Sequence, residues 1–167
     1  AWTNLGVAFQ HGGAEADARI AYEKALSLNP RSAVISNNLG ALAKKSGEWG
    51  AALEHFERAI ELEPNIAESH SNIGVVQKEM GRLKEAEESL RQAIRLKSNF
   101  PEAHLNLGNL LKELGRLEEA EASYRQVIVL KPDFAEAHNN LGVTLGMLDR
   151  LQEAEERLKQ AVSLKPD

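Results

Sequence analysis

"NNLG" at residues 37–40 returns unchanged at residues 139–142, and close variants stand at 3–6 (TNLG), 71–74 (SNIG) and 105–108 (LNLG). The asparagine common to all of them falls at residues 4, 38, 72, 106 and 140, so successive copies lie 34 residues apart. A fixed period of that length marks a repeat architecture in which each copy is one supersecondary unit. Numbering the slots of a copy from 1 to 34, with this asparagine at slot 6, turns the chain into five aligned repeats: 1–32, 33–66, 67–100, 101–134 and 135–167.

The alignment separates fixed slots from free ones. Slot 8 is always Gly (Gly6, Gly40, Gly74, Gly108, Gly142), slot 20 always Ala (Ala18, Ala52, Ala86, Ala120, Ala154), and slot 24 large: Tyr22, Phe56, Leu90, Tyr124 and Leu158. Slots 7, 10 or 11, and 14 form one apolar stripe at helical spacing, and slots 17, 20, 24, 27 and 28 form a second. Between them a glycine at slot 15 (Gly13, Gly47, Gly81, Gly115) suits a helix C-terminus, and Asp149 takes its place in the last copy. Proline at slot 32 (Pro30, Pro64, Pro132, Pro166, with Ser98 in the third copy) ends the second stripe. Each repeat therefore reads as two antiparallel helices joined by a short turn. Gly at slot 8 facing Ala at slot 20 is the expected point of close helix approach. One helix pair cannot bury its second face, so the copies must stack into an all-α solenoid.

Composition agrees with this reading. The chain has 167 residues, 43% of them hydrophobic but only 5% aromatic, and no Cys. The absence of cysteine excludes disulfides, thiolate catalysis and Cys-ligated metal while leaving the compartment open; a cytoplasmic location is the expectation. Twenty basic against twenty-five acidic residues give a net charge of -5, which argues against a nucleic-acid partner or an anionic membrane surface. No stretch approaches the ~20 apolar residues of a membrane span. The chain starts without Met and without a secretion signal, so it is expected to be a piece of a longer protein.

Trp2, Leu5, Gly6, Phe9, Ala18, Tyr22, Ala25 and Pro30 follow one another as in the tetratricopeptide repeat signature, and the later copies repeat that order. The sequence resembles this family along its whole length, as a single array over 1–167. The resemblance implies a right-handed superhelical solenoid of five helix pairs, with first helices lining a concave groove that binds peptides or protein segments. The departures are Ser36 at the aromatic slot of the first helix, Ser98, Val127 at a small-residue slot and Asp149.

Little in the sequence suggests chemistry. His70, His104 and His138 share slot 4 and invite a metal reading. At one per repeat their rings stand about a helix-packing distance apart, too far for one ion with ligand bonds near ~2 Å, so packing is the better account. The glutamates of the second helices (Glu85, Glu87, Glu88; Glu118, Glu119, Glu121; Glu153, Glu155, Glu156) read as a solvated outer face. No paired carboxylates in a buried setting and no Gly-rich phosphate loop are evident, so no enzyme, no metal and no cofactor is expected.

The slot-6 asparagines, Asn4, Asn38, Asn72, Asn106 and Asn140, are the feature that packing does not explain. With slots 2, 5, 9, 12 and 13 they fall away from the apolar stripe, and the resemblance assigns those slots to the groove. Asn is a poor residue in mid-helix, so its recurrence there needs an offsetting interaction. Its amide carries a donor and an acceptor side by side, matching the N–H and C=O of any peptide bond. Rungs about 8–10 Å apart would meet an extended chain, at ~3.3 Å per residue, about every third residue. The alternatives are that each Asn bonds to the next repeat, or survives from duplication of one ancestral copy.

The ladder is similar to that in the repeat arm of O-linked N-acetylglucosamine transferases, where it holds substrate chains by their backbone. The carboxylate clamp that grips heat-shock chaperone tails would require basic residues where Thr3, Glu68 and Asn72 stand, so that role is not expected. Lys44, Lys78 and Lys112 at slot 12, and Asn109 at slot 9, join the candidate peptide-binding set. Lys near a helix end also complements the macrodipole, as does Glu at slot 2 near its start. The expected function is a scaffold for a protein or peptide ligand. Its rivals are the substrate-recruiting arm of a larger enzyme, glycosyltransferase-like, and an architectural array that self-associates end to end through its uncapped last repeat.

Overall fold

The turn inside each repeat sets the architecture. A computed structural model describes residues 1–165, and Pro166, expected to end the last helix, lies outside them. In the first turn Gly13 takes φ +77°, Gly13 N donates to Gln10 O at 3.2 Å, and Ala14 N donates to Phe9 O at 2.9 Å. This reversed pair of bonds closes the orphan carbonyls of the helix end and needs one residue in the left-handed region. The same long bond recurs at Glu48 N to Ala43 O, Arg82 N to Gln77 O, Arg116 N to Leu111 O and Arg150 N to Leu145 O, at 2.8–2.9 Å. Asp149 adopts φ +60° in the last turn, so the departure from glycine leaves that turn intact.

The result is ten helices among the described residues: α1 (Trp2–His11), α2 (Glu15–Leu28), α3 (Ala33–Lys45), α4 (Trp49–Leu62), α5 (Ala67–Glu79), α6 (Leu83–Leu96), α7 (Pro101–Glu113), α8 (Leu117–Leu130), α9 (Ala135–Met147) and α10 (Leu151–Leu164). Slot by slot they fall where the repeat alignment expects them. Ser32 accepts from Ile35 N at 3.3 Å at the start of α3, and Pro101 opens α7, where its missing N–H is not needed.

The described residues form two compact units, divided between Ala86 and Glu87. In the first, α1 packs on α2 and α3 on α4, while α2 meets α3 and α4 meets α5. Its core holds Ala18, Tyr22, Ala25, Ile35, Leu39 and Leu42, then Ala52, Leu53, Phe56, Ile73 and Val76. In the second unit α7 pairs with α8 and α9 with α10, and α8 meets α9.

The glycine of slot 8 works differently from the expectation. A Cβ on Gly108 would stand 2.7 Å from Tyr124 Cε1 and 2.9 Å from Cδ1; on Gly40 it would stand 2.8 Å from the Phe56 ring. The partner is thus the slot-24 ring rather than the slot-20 alanine. The glycine provides the flat seat on which that ring lies, with the ring fully buried at Tyr22, Phe56 and Tyr124. At Gly142, where slot 24 is Leu158, that side chain is again nearest, at 2.7 Å, and the slot-20 residue adds Ala154 O at 3.1 Å.

Candidate functional site

The slot-6 asparagines lie on the first helix of each pair: Asn4, Asn38 and Asn72 on α1, α3 and α5 of the first unit, Asn106 and Asn140 on α7 and α9 of the second. Asn4 is exposed and the other four are half-buried. Slots 2, 6, 9 and 13 form the accessible stripe on these helices. Slot 5 varies from repeat to repeat, since Ser71 and Leu105 are 5% and 6% exposed while Asn37 is half-buried and Asn139 exposed. Successive residues lie about 100° apart round a helix, so Ser71 and Leu105 turn toward the neighbouring helix while slot 6 stays at the rim.

Two asparagines are tied to a neighbouring repeat. In the first unit Lys44 Nζ, in the last turn of α3, donates to Asn72 Oδ1 at 2.5 Å. An ammonium has no acceptor, so the atom it meets must be the amide oxygen, and the Asn72 NH2 group is left pointing elsewhere. In the second unit Asn140 Nδ2 donates to Asn109 Oδ1 at 3.0 Å, and the Tyr124 hydroxyl donates to the same oxygen at 2.8 Å. Burial, with the Glu136 carboxylate adding to it, pushes the Tyr124 phenol well above its ordinary range. Asn37, at slot 5, accepts from Ser69 Oγ at 2.9 Å.

The remaining candidates are placed as follows. Lys78 pairs with Glu79 at 3.2 Å, and Lys112 is half-buried on α7. Burial holds the Lys44 amine below the usual lysine range. The candidate lysines therefore differ from one another, although they share one slot.

The slot-4 histidines bridge one repeat to the next. His70 Nε2 meets Pro64 O at 2.9 Å, His104 Nε2 meets Ser98 O at 3.0 Å and His138 Nε2 meets Pro132 O at 2.9 Å. A carbonyl only accepts, so Nε2 carries the proton in each ring. The bond ties the slot-32 residue to the following helix whether that residue is Pro or Ser. Ser36 stands in their place in the second repeat, and its buried Oγ has no partner among the described residues. Among the described residues no group of three or more His, Asp or Glu could hold a metal, and no helix is long and apolar enough to cross a membrane.

The solvated outer face requires a correction. Arg116 Nη1 reaches both carboxylate oxygens of Glu87, at 2.7 and 2.8 Å, and Arg150 Nη1 reaches Glu121 at 2.7 Å. The side chains of Glu87 and Glu121 are only 13% and 12% exposed. Arg116 also holds Glu119, and Arg150 holds Glu153, each three residues ahead on its own helix. Arg at slot 16 thus joins slot 19 of its own repeat to slot 21 of the one before. The first unit has the same junction with its charges exchanged, Arg19 at slot 21 bonding Glu48 at slot 16. The recurrence of Arg82, Arg116 and Arg150 at intervals of 34 was the available signal for this junction.

Models of the tetratricopeptide repeat match residues 1–32, 31–99, 89–122, 108–149 and 134–165, and between them they span residues 1–165. The chain belongs to the tetratricopeptide repeat family. Among solved structures, MamA matches with a TM-score of 0.85 at 23% identity over 97% of this chain and 95% of its own. PilF of Pseudomonas aeruginosa matches with a TM-score of 0.89 at 19% identity over 97% of this chain and 74% of its own. These two establish likeness of fold. YrrB, described as a TPR protein with an unusual peptide-binding site, matches with a TM-score of 0.76 at 26% identity over 99% of this chain and 86% of its own. No curated protein matches the sequence.

Proposed function

We propose that this tetratricopeptide repeat chain is a protein-interaction scaffold that holds an extended peptide by its backbone on the accessible face of the first helices, through the slot-6 asparagines. The observation that carries the reading is the division of labour within the Asn72 amide. Lys44 of the neighbouring repeat occupies Oδ1, and the NH2 group remains to donate to a peptide carbonyl. The two explanations for the recurring Asn are therefore compatible, since each uses a different atom of one amide. The peptide-binding site of YrrB supports the same general role. Asn72→Ala combined with Asn106→Ala removes one rung from each unit. Fluorescence anisotropy with labelled extended peptides of mixed sequence should show binding weakened at least tenfold in a variant that keeps its helical circular dichroism; equal affinities would remove the claimed role of the ladder.

A second reading is favoured by one surface. Val143, Leu151, Ala154, Leu158 and Val162 line an open apolar groove of about 600 Å³ on α9 and α10. End-to-end association with a second copy would cover it.

A further inference from the structure

We propose that Lys44 and Asn72 together form a subsite for a carboxylate side chain, so that the segment bound by the Ala1–Ala86 unit is an acidic extended peptide. The proposal rests on the backbone-holding role of the asparagines and adds the chemistry of the ligand. Lys44 is half-buried between α3 and α5, and its amine bonds a neutral amide, Asn72 Oδ1, at 2.5 Å. Among the described residues no carboxylate is paired with it. The neighbouring charges are already matched: Lys45 with Glu15 at 2.6 Å, Lys78 with Glu79 at 3.2 Å, and Arg19 with Glu48 at 2.7 Å. Lys44 therefore carries a partly desolvated positive charge without a counter-charge, which folding leaves uncompensated. The burial that lowers its affinity for a proton records the same cost.

The helix macrodipole accounts for a lysine in the last turn of α3, but not for this arrangement. It favours any cation there, and the exposed Lys45 already satisfies it. What distinguishes Lys44 is its company. The ammonium has three N–H donors, of which Asn72 Oδ1 takes one, and the NH2 group of the same amide has two, one for the peptide carbonyl and a second to share with a carboxylate. Two adjacent donors, one of them charged, match the two oxygens of a carboxylate, and charge-assisted bonds of this kind are the stronger ones. A glutamate or aspartate side chain leaving the peptide next to the backbone group held by Asn72 would reach them.

The test uses a blocked Thr/Ser peptide with one central glutamate and its glutamine twin, titrated against the chain by isothermal calorimetry. The glutamate peptide is expected to bind about tenfold more tightly, with a preference that shrinks as salt is added. Lys44→Gln keeps a donor for Asn72 Oδ1 but removes the charge, and should bring the two peptides to equal affinity. Lys44→Met serves as the second variant, with thermal unfolding as the check on its fold. Equal binding of the two peptides to the unmodified chain, or a glutamate preference that survives in Lys44→Gln, overturns the carboxylate subsite while leaving the backbone reading standing. Failure of both peptides to bind overturns both.

Discussion

Gly108 is held to its identity by contact rather than by backbone conformation. It lies inside α7, where alanine would be the better helix former by about 1 kcal/mol. Yet a methyl group there would meet three atoms of the Tyr124 ring at 2.7, 2.9 and 3.0 Å. That ring is fully buried and its hydroxyl is bonded to Asn109, so it cannot retreat without losing the bond. Overpacking costs about 1–3 kcal/mol and so outweighs the gain in propensity. Gly108→Ala should lower the midpoint of urea unfolding by a corresponding amount. A stabilised single variant would show that the ring has room to move.

Among the elements, Tyr124 has a second role. Its hydroxyl, on α8, reaches the Asn109 oxygen on α7, and the Asn140 NH2 group on α9 meets that same oxygen, so one small network ties three helices. Because burial raises the Tyr124 pKa, the folded chain keeps this proton to a higher pH than the unfolded chain does. The stability it contributes is fully present below the unfolded value of about 10 and is lost as pH rises above it. Tyr22 shifts in the same direction, while Lys44, lowered by burial, works in the opposite sense over the same window. Comparison of variants isolates the one residue. Tyr124→Phe should cost about 1 kcal/mol at neutral pH through the lost hydrogen bond. Its unfolding midpoint should then fall less steeply than that of the unmodified chain between about pH 9 and 11; parallel slopes would mean that the buried phenol is not the group responsible.

Over the whole chain, the period of 34 made the fold legible, because the residues that end helices and the residues that seat rings recur where physical chemistry restricts the choice. Glycine at slot 15 announced a left-handed turn residue, and Asp149 could be recognised as its substitute from alignment alone. The site was legible only as a set of positions. Which amide atom of Asn72 stays available depends on where Lys44 of another repeat places its amine, and no spacing within one repeat carries that information. The same holds for Glu87 and Glu121, whose burial is decided by arginines of the following repeat. The α9–α10 groove, in contrast, follows from the pattern itself. Leu151 and Val162 are 65% and 67% exposed there, on apolar slots that earlier repeats also use. Burying both against a second copy would stabilise association by about 1.5–3 kcal/mol per side chain. Leu151→Glu with Val162→Glu should therefore weaken self-association by on the order of a hundredfold or more, since each 1.4 kcal/mol is about tenfold. In sedimentation velocity the average mass of the unmodified chain should rise with concentration while the double variant stays monomeric with the same helical circular dichroism. An unmodified chain that remains monomeric at every concentration would show that this groove does not join copies of the chain.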